Sequence, residues 1–150
     1  MSTAAVLFGT ESGNCEMVAE DLVEVLAEMG IAGEVAAMDE VDVENLSDND
    51  LIILVSSTYG EGDLPNTAVP FFESLQEKRP DLSHNRFAAF GLGDSTYDTY
   101  NQGIDILIKM IVDLGARQVG LTGRHDADSG LDAPTVAIEW ARENLAGLTF

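Results

Sequence analysis

Short apolar runs and amphipathic helical segments take turns along this chain, and that alternation limits its possible folds more than any other feature. LIILV (51–55) is a continuous apolar run without polar alternation, the pattern of a strand buried on both faces. AAVLF (4–8) is a similar run that ends at Gly9. The next segment, EMVAEDLVEVLAEMG, sets Val18, Leu22, Val25, Leu26 and Met29 on one helical face and stops at Gly30. A strand is expected near Gly33 to Met38, after which DEVDVENLSDND (39–50) has room only for a short helix. Beyond LIILV the spacing predicts a helix over VPFFESLQEK, a strand over RFAAFGLG, a helix over IDILIKMIVDLG with Gly115 as its stop, and a last strand over RQVGLT. APTVAIEWARENLAG closes the chain as a helix with Pro134 near its start, and Trp140 and the paired phenylalanines read as core.

Strands that alternate with helices make a parallel sheet covered on both faces, and right-handed crossovers leave few ways to wind five such units. The expected fold is an α/β three-layer sandwich, a five-stranded parallel sheet in order 2-1-3-4-5 with helices on both faces. In that winding, ligands bind outside the carboxyl ends of the strands, where the order switches between strands 1 and 3. One hundred and fifty residues suffice for one substantial core and not two, so residues 1–150 are expected to form a single domain.

The charge narrows the partners. Asp and Glu number 27 against 7 Lys and Arg, a formal charge of −20 at pH 7, which repels nucleic acid and anionic membrane and favours proteins with basic faces. The same charge opposes self-association, so a monomer is expected. No apolar run approaches the roughly 20 residues that span a bilayer, and MSTAAVLFGT lacks a charged leader region and a cleavage site. The single cysteine, Cys15, excludes an internal disulfide; together these point to the cytoplasm.

Three loops at the expected carboxyl rim carry the chemistry. GTESGNCE (9–16) presents hydroxyls at Thr10 and Ser12 and backbone N–H groups leading into a helix N-terminus, which suit a phosphate without any Lys or Arg. Alone, it reads equally well as a turn in which Ser12 caps the helix. STYGEGDLP (57–65) pairs a flat amphipathic ring, Tyr59, with Gly60 and Gly62, whose bare backbone permits close approach. GLGDSTYDTYNQG (91–103) is a second glycine-rich turn, with Tyr97 and Tyr100. Together the loops suit one elongated ligand: a planar group between Tyr59 and Tyr97, and a phosphate tail in the first loop.

The motifs TESGNCE, STYGEGDLPNTA and GLGDSTYDTYNQ resemble the FMN-binding loops of the flavodoxin family, most nearly its short-chain, MioC-type members and the FMN domains of cytochrome P450 reductase and sulfite reductase. The resemblance covers essentially the whole chain. It implies that Thr10, Glu11, Ser12, Gly13, Asn14 and Cys15 form the phosphate loop, with Cys15 standing where the common pattern has Thr. It further implies that Tyr59 and Tyr97 cover the two faces of the flavin. Ser57, Thr58, Gly60, Glu61, Gly62, Leu92, Gly93, Asp94, Tyr100, Asn101 and Asp128 then surround the ring. At Gly60 a peptide flip would present its C=O to the flavin N5–H.

The implied function is FMN-dependent electron carriage between an NADPH reductase of the flavodoxin/ferredoxin type and acceptor redox proteins with basic faces, with no substrate of its own. Glu61, Asp63, Asp94, Asp98, Asp126 and Asp128 fall in the loops around the ring, and a fully reduced flavin is anionic. At about 10 Å in water each carboxylate repels it by roughly 0.4 kcal/mol before screening, so six contribute about 1–2.5 kcal/mol. Alternatives are a small FMN-dependent quinone or azo reductase, disfavoured by few cations to meet a dinucleotide, and a flavin-free protein-binding scaffold. A receiver domain needs acids where Gly9, Thr10, Ser56 and Ser57 stand, and a hydrolase needs a G-x-S-x-G motif the chain does not have. His84 and His125 are expected in loops with no metal-ligand spacing. DADSGLD begins like a calcium loop but has Gly130 at its fifth position and Ala137 at its twelfth.

Overall fold

A computed structural model describes residues 2–9, 14–58, 64–93 and 102–148. Strand β1 is Ser2–Gly9, β2 Ile31–Ala37, β3 Leu51–Ser57 and β4 Arg86–Gly93. Two short strands follow, β5 Arg117–Gln118 and β6 Gly123–Asp126. The helices are α1 Asn14–Glu28, α2 Ala68–Lys78, α3 Gln102–Asp113 and α4 Ala133–Asn144. All pairings are parallel, in the order β2-β1-β3-β4-β5 with β6 also on β4, as the alternation predicts.

Alternate residues of β3 divide the core into two layers. Leu51, Ile53 and Val55 pack with α1 and α4, whereas Ile52 and Leu54 pack with α2 and α3. Both sets are fully buried, which accounts for the absence of polar alternation in this run.

Three expectations need correction. DEVDVENLSDND holds two 3-10 turns, Met38–Glu40 and Val43–Asp48, in place of one short helix; Asp42 caps the second by accepting from the Glu44 N–H. Met38, Val43 and Leu46 are spaced to drop into the core from tight turns, not to line a helix face. RQVGLT is not one strand. Gly120 leaves the ladder at φ +66, Leu121 N–H donates to Asn144 Oδ1 at 2.9 Å, and Leu121 C=O accepts from the Trp140 indole at 2.8 Å. Side chains of α4 thus satisfy the backbone groups the strand gives up. His125, expected in a loop, belongs to β6.

Polar clamps close the amino ends of the strands. Asp50 Oδ2 accepts from Thr3 N–H at 2.9 Å, and the buried Asn85 amide donates to Asn49 C=O at 2.6 Å. The carboxyl ends are where loops remain for a ligand.

Candidate functional site

The sheet register builds the rim. Gly9 of β1 lies opposite Ser56 of β3, Ser56 opposite Gly91 of β4, and Ser57 opposite Leu92. Leu92 in turn faces His125, and Gly93 faces Asp126, on β6. The loops after β1, β3 and β4 therefore leave adjacent strands at one level.

Asn14 and Cys15 open α1 where the β1 loop ends, so the first orphan N–H groups of the helix belong to this rim. Asn14 is exposed, whereas Cys15 is fully buried among the core residues of α1. Gly9 is required for contact: a Cβ there would lie 2.8 Å from both Ala68 Cβ and Met38 Sδ. The start of α2 is thereby held against the end of β1.

Thr58 fastens the end of β3 to β4 and to the first turn of α3. Its N–H donates to Leu92 C=O at 3.2 Å, and its Oγ1 accepts from Gly103 N–H at 2.9 Å. Gly103 is buried in the first turn of α3, where a Cβ would stand 2.6 Å from Ser57 C=O oxygen and 3.1 Å from Thr58 Cα. The N-terminus of α3 rests directly on the end of β3. Sequence reasoning missed Gly103 as a site residue; the signal was a glycine in the first turn of an otherwise amphipathic helical segment. Thr58→Val keeps the shape but removes the acceptor, leaving a part-buried N–H unpaired. We expect FMN to bind about tenfold more weakly, roughly 1.4 kcal/mol, with the fold intact by circular dichroism. Unchanged affinity in a fluorescence titration would show that the latch is unnecessary.

A hydrogen-bonded turn stands at the β6 side of the rim. Asp126 Oδ1 accepts from Asp128 N–H at 2.9 Å, Ser129 Oγ donates to Asp126 C=O at 2.6 Å, and His125 Nε2 lies 2.7 Å from Leu131 C=O. Asp128 is exposed and Asp126 half-buried, so both carboxylates flank the rim.

Of the residues expected at the site, Asn14, Cys15, Ser57, Thr58, Leu92, Gly93 and Asp128 come to this one end of the sheet. Thr10, Glu11, Ser12, Gly13, Tyr59, Gly60, Glu61, Gly62, Asp94, Tyr97, Tyr100 and Asn101 lie outside the described residues. The described donors suit a phosphorylated flavin: a helix N-terminus for the phosphate, beside the ends of two neighbouring strands for the ring. Among the described residues no cluster of His, Cys, Asp and Glu is arranged to hold a metal, and no helix is long and apolar enough to cross a membrane.

Comparison with known proteins agrees with this geometry. The flavodoxin family model matches residues 6–140. Protein MioC of Escherichia coli O157:H7 is 40% identical over 122 residues, covering 81% of this chain and 82% of that protein. Human NADPH–cytochrome P450 reductase is 36% identical over 132 residues, covering 85% of this chain but 20% of the reductase. Oxidised flavodoxin 1 from Bacillus cereus superposes with a TM-score of 0.86 at 28% identity, covering 99% of this chain and 100% of that one. With this fold, these motifs and these relatives, the chain belongs to the flavodoxin family, and it is an FMN-binding electron carrier.

Proposed function

We propose that residues 1–150 act as one FMN domain, with residues 10–15 holding the phosphate, Tyr59 and Tyr97 covering the ring, and Ser57, Thr58, residues 60–62, 92–94, Tyr100, Asn101 and Asp128 surrounding it. The observation that supports this most is the common level of Gly9, Ser56 and Gly91 in the ladder, from which the three loops depart. Bound FMN supplies one- and two-electron chemistry. The chain binds and orients it, limits its contact with water, and sets the field around it. Thr58 and Gly103 fix the spacing of the two aromatic loops, and α1 offers its orphan N–H groups to the phosphate.

The carrier works with a reductase and with acceptors that present basic faces, as a monomer in the cytoplasm. The charge of −20 supports the basic partners and the monomer, and the single cysteine supports the compartment. A dimer in sedimentation at moderate salt would overturn the monomer.

The test is a visible absorption spectrum of the purified protein, then anaerobic reductive titration with FMN present. Bound flavin reduced in two separate one-electron steps is the expected result. Failure to retain or bind FMN would reject the site and favour a protein-binding scaffold. Changing Glu61, Asp63, Asp94, Asp98, Asp126 and Asp128 to their amides should raise the most reducing couple by about 40–110 mV, the larger shift at low salt. No shift in the potential would mean that these acids serve only solvation.

A further inference from the structure

We propose that the groove between α2 and α3 is a second binding site, for a small amphipathic carboxylate. The apolar body of this acyl or aryl monoanion rests on Phe72, Ile106, Met110 and Val112, and its head meets Lys109. The open groove offers about 620 Å³, within the roughly 300–1,000 Å³ of small-molecule sites, and is lined by these residues together with Asp113, whose carboxylate is held by Arg79. Phe72 was expected in the core, yet it is only half-buried, and Val112 is 50% exposed. Two large apolar side chains are therefore left against water on facing helices.

The charge arrangement selects the ligand. Lys109 follows Asp105 by four residues and precedes Asp113 by four, the spacing at which a helix pairs opposite charges. Both acids are taken. Arg124 of β6 holds Asp105 at 2.6 Å, and Arg79, at the C-terminal end of α2, holds Asp113 at 3.0 Å. Among the described residues Lys109 has no ion pair, in a chain where acids outnumber cations almost fourfold. An ammonium left unpaired over an apolar floor favours an anion with an apolar body.

The overall charge of −20 does not cancel this preference. Screening over about 8 Å at physiological ionic strength weakens the distant acids, and the two acids one turn either side of Lys109 are each paired with an arginine. A protein partner fits less well. An acidic, apolar segment suited to Lys109 would bring its other charges against this surface, and the groove provides far fewer than the roughly 20–30 residues a side of a stable interface. Lys109 stands about 9 Å along α3 from Gly103, and none of the groove's lining residues is among those placed at the FMN rim.

The test is a ¹H–¹⁵N correlation titration of the FMN-loaded protein with decanoate, 1-decanol and decyltrimethylammonium, all below micelle formation. Decanoate should shift the amides of Phe72, Ile106 and residues 109–113 and bind at least fivefold tighter than decanol, with the cation weakest. Lys109→Gln, at an exposed position, should abolish the fivefold preference yet retain decanol binding, and Lys109→Arg should keep it. Equal or tighter binding of decanol or the cation would overturn the proposal, as would shifts confined to residues 14–15 and 57–58. No saturable shift with decanoate, with or without a response to an acidic apolar peptide, would also overturn it.

Discussion

Gly103→Ala should lower the stability of the apoprotein by about 1–3 kcal/mol and weaken FMN binding at least tenfold. At an exposed position in a helix the same change would stabilise by up to about 1 kcal/mol, because alanine is the better helix former. The sign reverses here because the new methyl would stand 2.6 Å from Ser57 C=O oxygen and 3.1 Å from Thr58 Cα and Oγ1. Ser57 is held opposite Leu92 in the ladder, so the strand cannot yield without breaking register. Relief must come from α3 moving outward, which stretches the Gly103 N–H to Thr58 Oγ1 bond and changes the spacing of the loops that precede and follow it. Urea unfolding of the apoprotein, with FMN titration followed by flavin fluorescence, reads both effects. A stabilised variant with normal affinity would show that α3 and β3 are not in contact as described.

Phe90→Ala should cost about 3–5 kcal/mol, a large share of the 5–15 kcal/mol typical of a domain. Phe90 is fully buried in the middle of β4, and its ring lies 5.4 Å from that of Trp140 at 53°, a tilted aromatic contact. The two rings leave no space at Gly123, where a Cβ would press on Phe90 Cδ2 and come within 2.8 Å of Trp140 Cγ. Removing Phe90 opens a cavity between β4, β6 and α4 that the sheet cannot collapse to fill. Trp140 is the single tryptophan, so its emission reports the loss directly, and the urea midpoint should fall with an unchanged slope. Gly123→Ala alone should destabilise by about 1–3 kcal/mol, yet cost much less in the Phe90→Ala background, where the methyl has room. Strict additivity of the two changes would contradict the packing.

The corrections to the sequence reading share a physical origin. RQVGLT has the composition of a strand, but whether it stays in the ladder depended on Asn144 and Trp140, which lie in α4 and take over the Leu121 backbone groups. Phe72 follows a fully buried phenylalanine, and local pattern does not distinguish a ring inside the core from one on a groove between two helices. DEVDVENLSDND carries too few apolar residues to display a helical period, so only its packing could show that two tight turns bury Met38, Val43 and Leu46.

What the sequence by itself determined was the class of fold, the order of its main elements and the strands whose carboxyl ends lead into the three candidate loops. Hydrophobic period and glycine placement act over a few residues and are written locally, as in LIILV and in the helix that stops at Gly30. What only the tertiary structure decided was contact between distant segments. Thr58 and Gly103 are 45 positions apart, and so is the latch they make; Lys109 lost both of its helical partners to arginines from β6 and the end of α2. Such contacts arise only when the sheet register and the helix packing are set together, because they depend on distances through space that no local pattern encodes.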